Sequence, residues 1–228
     1  MRKEVLAIGC VLLMLCGCGN NSAAQHYESG WAALEKKDYS TAEQEFQQVI
    51  DLDSRLAESY RAEGIAYYSE GAYPEAIAAF SRSLNNMDDP DKEFKKDVQF
   101  YLAQARMDYG EVDKAIEVYS EILKAGEDAQ AFFLRGKAYI SMDDYENAGK
   151  DFQRALKGCE DYNLYINIYQ IYVDNNKAVD GDAYLKMALE LEPQDGEDYY
   201  HRGRIYEYEK NYEAARDKLK TSMEQGYE

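Results

Sequence analysis

Few residues of this sequence belong to the types that carry out acid–base, nucleophilic or metal chemistry. The two histidines, His26 and His201, lie far apart in the chain and have no ligand spacing between them. The glycines are not arranged as a phosphate-binding loop. Paired acids such as Asp143-Asp144 fall at predicted turns and helix starts, where a carboxylate complements the helix dipole. We therefore predict that the chain is not an enzyme, binds no metal ion and needs no cofactor.

Cysteine is the one reactive residue type whose position predicts a modification. Residues 1–17 combine a short basic start with an apolar run, 5–15, that is too short to span a bilayer and has the length of a signal-peptide core. The run ends in Leu15-Cys16-Gly17-Cys18. This ending resembles the bacterial lipobox, in which a small residue precedes an acylated cysteine. The resemblance implies that Cys18 carries a lipid and becomes the mature N-terminus, with residues 18–22 as a tether.

The other cysteines fit this pattern less well. Cleavage before Cys10 would leave too short an apolar run, and Cys16 follows the bulky Leu15. An ordinary secretory signal or an uncleaved hydrophobic N-terminus remains the alternative. We expect an extracytoplasmic protein that its N-terminal lipid anchors to the cell membrane. Cys159 would then be the only free thiol, so an intramolecular disulfide is not expected.

The balance of charges excludes several classes of partner. The 228-residue chain has 44 acidic and 26 basic residues and a formal net charge of −18. Nucleic-acid binding and docking on anionic lipid both need clustered Lys and Arg, which this composition does not favour. The 3 Pro suit long helices joined by short turns, and the 22 Tyr supply rings for a core or for a binding surface. Binding is the class of function that remains.

A sequence motif of small and large residues recurs six times along residues 23–228. In its clearest copies a glycine is followed at fixed spacing by an aromatic residue, an alanine, a second aromatic residue and a leucine, as in Gly64, Tyr73, Ala76, Phe80 and Leu84. With the glycine at repeat position 8, the units start near residues 23, 57, 96, 129, 162 and 196. The motif resembles the tetratricopeptide repeat, a 34-residue helix–turn–helix unit. The resemblance implies an all-α fold, a right-handed superhelical solenoid of about six repeats over residues 23–228.

The spacing of apolar residues supports this fold on physical grounds. Large residues recur at intervals of three and four within each unit, as expected for two amphipathic helices. Small residues at repeat positions 8 and 20, such as Gly136 and Ala148, let the two helices of a pair approach closely. One pair cannot bury both of its faces, so the stacking of neighbours must supply the stability.

Two repeats depart from this sequence motif. The fifth has Tyr169 at position 8 and Gly181 at position 20, which we interpret as a compensated exchange in which the ring fills the space of the missing methyl group. The alternative is a slip in register. The third unit has Arg106 where tyrosine is usual, and it starts 39 residues after the second. We predict that the extra acidic stretch, 88–91, lengthens the turn and the next helix, with Pro90 in its first turn.

The resemblance also implies a binding surface. In the tetratricopeptide family the first helices of successive pairs line a concave groove through repeat positions 2, 5, 9, 12 and 13. The residues at these positions that have interface-type side chains are Tyr27, Trp31, Arg61, Tyr68, Phe100, Phe133, Lys137, Tyr200, Arg204 and Tyr208. The alternative for each ring is a place in the core. The carboxylate clamp of chaperone-binding members is absent, because aromatic residues stand at its positions in the first unit.

We hypothesise that the protein is a membrane-anchored scaffold at the cell envelope that binds a protein or peptide partner. The alternative is a lipoprotein that captures a glycan or another small molecule on the aromatic rings of the groove. The tether of residues 18–22 reaches at most about 15–20 Å. The partner is therefore expected near the membrane.

The last predicted helix bears on the oligomeric state. Ala214, Ala215, Leu219 and Met223 form one narrow apolar stripe at helical spacing, and polar residues occupy the other sides. We expect this stripe to pack on the preceding helix and to leave no large apolar patch. The sequence therefore predicts a monomer with a self-capped C-terminal repeat.

Overall fold

The computed structural model describes residues 22–87 and 91–227, and every regular element in that part of the chain is a helix. Six helical hairpins follow each other, and their first helices start within a few residues of the predicted repeat starts. The helices are α1 (22–35), α2 (Tyr39–Asp51), α3 (Leu56–Glu70), α4 (Tyr73–Asn85), α5 (Lys92–Tyr109), α6 (Val112–Ala125), α7 (Ala129–Ser141), α8 (Tyr145–Ala155), α9 (Tyr162–Asp174), α10 (Ala178–Leu189), α11 (Gly196–Tyr208) and α12 (Tyr212–Glu224). The expected all-α repeat fold is thus confirmed.

The helices form two compact units. The first contains α1–α6 and extends to Glu127, and the second contains α7–α12 and begins at Asp128. Within each unit the two helices of a hairpin pack together, and consecutive hairpins pack through pairs such as α2–α3 and α4–α5. None of the helices in residues 22–87 and 91–227 combines the length and the apolarity needed to cross a membrane.

Acidic side chains start many of these helices. The N-cap side chain accepts a hydrogen bond from a first-turn backbone N–H at Asp38, Asp91, Asp128, Asp144, Asp161 and Asp195. Such caps satisfy donors that have no partner within the helix and favour negative charge at its positive end. Part of the negative charge of the chain is therefore structural, as expected for Asp144.

One turn geometry joins the two helices of every hairpin. A residue in the left-handed region ends the first helix, and the next residue donates its N–H to the carbonyl five residues earlier, as from Ala72 to Tyr67 and from Asn211 to Tyr206. Glycine supplies the positive φ in the second and third hairpins, at Gly71 and Gly110. The other four hairpins use the non-glycine residues Lys37, Asp143, Asn176 and Lys210, at φ 58–59°. The hydrogen bonds outweigh the cost of an L-residue in this region.

Repeat position 8 makes room for the large residue at position 24. A Cβ atom added at Gly64 would lie 2.7 Å from Phe80 ring atoms, and one at Gly136 would lie 2.7 Å from Phe152 Cε1. Equivalent contacts join Gly30 to Phe46 and Gly203 to Leu219. Each glycine therefore lets a bulky side chain fill the space between the helices of its hairpin. The alanines at position 20, such as Ala42 and Ala76, are fully buried.

The fifth hairpin keeps the repeat register. A Cβ atom at Gly181 would lie 3.1 Å from Tyr169 Cδ2 and 3.0 Å from Tyr172 Cβ. The Tyr169 ring thus occupies the space of the missing methyl group, which confirms the compensated exchange. Several tyrosines are buried in the fifth hairpin. Its core includes Tyr162, Tyr165, Tyr169, Tyr172 and Tyr184.

Two further expectations have different outcomes. The third repeat does have a longer first helix, since α5 contains 18 residues and begins after its N-cap Asp91. Pro90 lies outside the described residues.

The expected packing of Met223 is wrong, because its side chain is 72% exposed, and Ser222 is buried at the end of the stripe instead. Tyr212 on the same helix is 65% exposed. The outer side of α12 is therefore less polar than the sequence pattern indicated.

Candidate functional site

The predicted groove residues of the first hairpin form one aromatic cluster. Tyr27 and Trp31 follow each other by one helical turn on α1, with ring centroids 6.2 Å apart. Both rings meet the buried Phe46 edge-on, at 5.9 and 5.7 Å. The guanidinium of Arg55 lies 5.6 Å from the Tyr27 ring centroid. These rings are half-buried, so they stabilise the hairpin while leaving part of their surface to solvent.

Arg61 on α3 is neutralised within the protein. Its Nε lies 2.5 Å from Asp97 Oδ2 on α5, and its guanidinium lies 5.2 Å from the Tyr101 ring centroid. These contacts join the first helices of two successive repeats. The charge of Arg61 is consequently already paired and does not await an acidic ligand.

Tyr68 makes a second link between the same two helices. Its hydroxyl donates to Asp108 Oδ2 at 2.5 Å, and Gln104 donates to Asp108 Oδ1 at 3.1 Å. Burial raises the pKa of Tyr68, and the hydrogen bond to the Asp108 carboxylate raises it further. The phenol therefore stays protonated and remains a donor. Both predicted polar groove residues of α3 are thus already paired with carboxylates of α5.

The middle pair of predicted aromatic contacts packs on core rings. Phe100 on α5 lies 6.3 Å from Tyr119, and Phe133 on α7 lies 5.9 Å from Phe152, measured between ring centroids. Lys137 is one turn after Phe133, is exposed, and places its Nζ 5.9 Å from the Phe133 ring centroid. Phe133 therefore lies partly beneath a cationic side chain.

Three predicted residues of α11 form a continuous row. Arg204 Nη2 donates to the Tyr208 hydroxyl at 3.3 Å, and the guanidinium lies 6.0 Å from the Tyr200 ring centroid. The row is anchored at both ends, because Tyr208 packs on Tyr169 of α9 at 5.2 Å and Tyr200 packs on Tyr227 at 5.3 Å. All three residues are half-buried.

Sequence reasoning missed three charged residues at repeat position 7, where the third and fifth repeats have the core residues Leu102 and Ile168. Arg135 forms a bidentate pair with the buried Asp151, at 2.7 and 2.8 Å, and this hydrogen bonding raises the pKa of Arg135. Arg202 donates to the Leu191 carbonyl at 2.6 Å. Glu63 is only 4% exposed. The signal in the sequence was a charged residue at a repeat position that a core residue occupies in two other repeats.

Glu63 lines a cavity of about 480 Å³ beside α2 and α3, together with Glu43 and Tyr67. We call this cavity the carboxylate pocket. Burial raises the pKa of Glu43 to about 7, and a hydrogen bond to Glu70 and repulsion from Glu70, Glu63 and Glu75 contribute. Burial also raises the pKa of Glu63, although the positive charge of Arg82 opposes it.

Two other expectations concern metal ions and lipid. Within residues 22–87 and 91–227 no three His, Cys, Asp or Glu side chains are grouped in a way that could hold a metal ion. Cys18 lies outside the described residues, so its acylation stays a prediction. The ligand role of the ten groove residues also stays a prediction.

Comparisons with known proteins agree with this architecture. The profile of the tetratricopeptide repeat family matches residues 27–91 and 100–163, together more than half of the sequence. No curated protein sequence matches the chain significantly.

Solved structures share the fold at low sequence identity. A tetratricopeptide repeat protein from Parabacteroides merdae has 19% identity and a TM-score of 0.56, over 91% of this chain and 94% of that one. MamA from Desulfovibrio magneticus has 17% identity and a TM-score of 0.61, over 75% and 94%. The pilF protein of Pseudomonas aeruginosa has 12% identity and a TM-score of 0.59, over 88% and 90%. At these identities the likeness establishes the fold alone.

The family profile and the helical hairpins lead to the same assignment. Six hairpins share one turn geometry, and four of them pack a glycine at position 8 against a large residue at position 24. The profile covers four hairpins in large part. The chain belongs to the tetratricopeptide repeat family, whose fold is a scaffold for protein–protein interaction.

Proposed function

We propose that this protein is a lipid-anchored scaffold of the cell envelope that binds a protein or peptide partner through the first helices of its second unit, α7, α9 and α11. The bound segment would be acidic and apolar. The chain itself would perform no catalysis.

This proposal rests on a difference between the contacts that the three basic groove residues make. Arg61 in the first unit is paired with Asp97. Lys137 and Arg204 in the second unit instead lie beside the rings of Phe133 and Tyr200, and no carboxylate of the described residues is within ion-pair distance of either. In a chain with a net charge of −18, two such cations beside aromatic side chains favour an acidic ligand.

The neighbouring side chains suit the apolar part of such a ligand. Tyr200 and Tyr208 are held by ring contacts, so they offer large contact areas that lose little rotamer freedom on binding. Gln170 on α9 adds an amide that now donates to Asp174 of its own helix, at 2.9 Å. Anchored aromatic and arginine side chains are the types that dominate binding energy at interfaces.

The anchor is proposed from the Leu15-Cys16-Gly17-Cys18 motif and the apolar run before it. Intact-mass analysis of membrane-extracted protein should find a chain that starts at Cys18 and carries a diacylglycerol. A Cys18→Ala variant should lose the lipid and leave the membrane fraction. Unmodified Cys18 in the membrane fraction would exclude the lipid anchor.

In-cell photocrosslinking can test the groove. A photoreactive amino acid at Gln170, on α9, should give one discrete protein adduct in the cell envelope. Lys137→Glu and Arg204→Glu should each reduce the adduct about tenfold, because each replaces an attraction with a repulsion. Lys186→Glu is the matched control, since Lys186 is an exposed lysine of α10 and carries the same change in charge.

The outcome separates the two binding hypotheses. A defined adduct that responds to both groove variants and not to Lys186→Glu supports the peptide-binding scaffold. No adduct, together with a glycan-array signal that Trp31→Ala abolishes, would support a glycan-capturing lipoprotein instead. Equal adducts in all variants would show that the α7, α9 and α11 surface is not the binding site.

A further inference from the structure

The carboxylate pocket lies on the side of α3 opposite to the groove residues. Glu63, Tyr67 and Glu70 follow each other at spacings of four and three, so they share one face of α3, toward α2. Arg61 and Tyr68 are seven residues apart and share the other face, toward α5. The pocket is therefore separate from the proposed groove.

Glu63 is a buried charge-bearing group that lacks a partner. The residue is 4% exposed, and the positive charge of Arg82 is the one interaction that favours its ionised form among the described residues. The other two charged residues at repeat position 7, Arg135 and Arg202, both have hydrogen-bond acceptors. Burying a carboxylate without a partner is costly, so an unpartnered Glu63 points to a missing ligand.

Acidic groups dominate the surroundings of Glu63. Glu43 Oε1 on α2 is buried and also has no hydrogen-bond partner. Glu70 and Glu75 add two more carboxyl groups beside Glu43. One cation, Arg82 on α4, acts on Glu63 from a distance and lowers its pKa. The guanidinium of Arg82 lies 5.8 Å from the ring centroid of Tyr60 and forms no ion pair with Glu63 within the described residues. A cationic ligand would therefore enter a site whose carboxylates are already desolvated.

We propose that the carboxylate pocket binds the ammonium or guanidinium group of a lysine or arginine side chain from a partner protein. The pocket suits an organic cation, because carboxylates here are mixed with the neutral walls of Tyr67 and Gln47, which can cover an aliphatic stem. No trio of described acidic groups has the arrangement of a metal site. The first unit thus receives a basic side chain, whereas the proposed groove of the second unit receives an acidic segment.

A side-chain mimic can test this site in the full-length protein in neutral detergent. The probe is Nα-acetyl-lysine methylamide, and its matched control is the norleucine analogue, which has the same kind of stem without the charge. In carbon-13 NMR spectra, we expect the side-chain carboxyl signals of Glu43 and Glu63 to shift until saturation as the lysine probe is added. The norleucine probe should not shift them. Glu43→Gln combined with Glu63→Gln should weaken binding about tenfold or more, while Glu58→Gln, an exposed residue of α3, should not.

The pH dependence gives a readout that needs no variant. Binding should tighten as the pH rises through about 7, where Glu43 loses its proton. The groups that face it are Glu45 of α2, Glu63, Tyr67 and Glu70 of α3, and Glu75 and Arg82 of α4. His26 of α1 is engaged with Glu45 at 2.7 Å. Binding that is independent of pH would overturn the proposal even if the double variant failed to fold.

Competing ligands identify the source of the cation. Sodium chloride at equal ionic strength should leave the Glu43 and Glu63 signals unchanged. Tighter binding of calcium at the same residues would make this a metal site and overturn the proposal. Tighter binding of spermidine than of an acetylated lysine-containing tripeptide would make it a polyamine site and would also overturn it.

Discussion

The ring of Tyr169 on α9 occupies the space that a methyl group at Gly181 on α10 would need, with Cδ2 3.1 Å from the Cβ position. Gly181→Ala should therefore destabilise the protein by about 1–3 kcal/mol, although alanine is the better helix former. Chemical denaturation monitored by circular dichroism measures this. Gly149→Ala on α8 is the matched control, because its new Cβ would meet only ordinary contacts, at 3.7 Å or more. It should stabilise by up to about 1 kcal/mol.

The same relationship predicts a non-additive double variant. Tyr169→Gly with Gly181→Ala recreates the small residues of the sixth hairpin, where Gly203 and Ala215 accompany Leu219. The double variant should be more stable than the sum of the single changes predicts, by about 1 kcal/mol or more. Strict additivity would show that the two positions are not coupled.

The Arg135–Asp151 pair should contribute strongly to the stability of the second compact unit. Asp151 is 5% exposed and accepts two hydrogen bonds from Arg135, so Asp151→Asn removes the carboxylate that faces this half-buried guanidinium. We expect a loss of about 3–5 kcal/mol in the free energy of unfolding. Replacing both residues with apolar ones of similar size, as in Arg135→Met with Asp151→Leu, should lose less. A larger loss in the double variant would contradict this account.

Deprotonation of Glu43 should weaken the first unit. Its pKa rises from 4.5 to about 7 on folding, so the folded state holds the proton more tightly. The contribution of Glu43 to stability is complete below about pH 4.5 and is lost as the pH rises through about 7. Glu43→Gln should therefore raise the melting temperature at pH 8 and change it little at pH 5.

Partial exposure of Glu43 keeps this effect to about 1 kcal/mol, or roughly 2–4 °C. Thermal denaturation at the two pH values, with Glu58→Gln as a control for the lost charge, measures it. An equal rise at both pH values would indicate a packing effect and no effect of ionisation.

The hairpin turns offer a stabilising change. Lys210 has φ 59°, and its turn has the same hydrogen bonds as the turn at Gly71. Lys210→Gly should stabilise the folded chain by up to about 1 kcal/mol, because glycine adopts this conformation without steric cost. Lys186→Gly, inside α10, should instead destabilise by about 1 kcal/mol. Similar changes in both variants would show that the turn conformation carries no strain.

The sequence was sufficient to predict the repeats because the small and large residues that pack the helices recur at a fixed interval. The glycines at position 8 and the alanines at position 20 located the helices of each hairpin, and even the exchange at Tyr169 and Gly181 could be interpreted from shape alone. Met223 was predicted wrongly because helical spacing identifies a stripe and does not show which of its members meets a neighbouring helix.

The partners of charged residues could not be predicted in the same way. The repeat positions placed Arg61 on the groove face, but its pairing with Asp97 depends on how two successive repeats pack. Lys137 has the same kind of position and finds a ring instead of a carboxylate. Periodicity specifies a face of a helix, whereas the neighbours of a long charged side chain depend on tertiary detail.

The edge-on contacts of Trp31 with Tyr27 and Phe46 have a spectroscopic consequence. Trp31 is the only tryptophan of the chain, so selectively excited fluorescence originates in the first hairpin, while far-ultraviolet circular dichroism sums the signals of all helices. Repeats that unfold one after another would separate the two melting curves, and a fully cooperative chain would superimpose them. The native sequence thus contains an optical reporter for the hairpin next to the proposed lipid anchor, and its order in the unfolding sequence can be measured without any label.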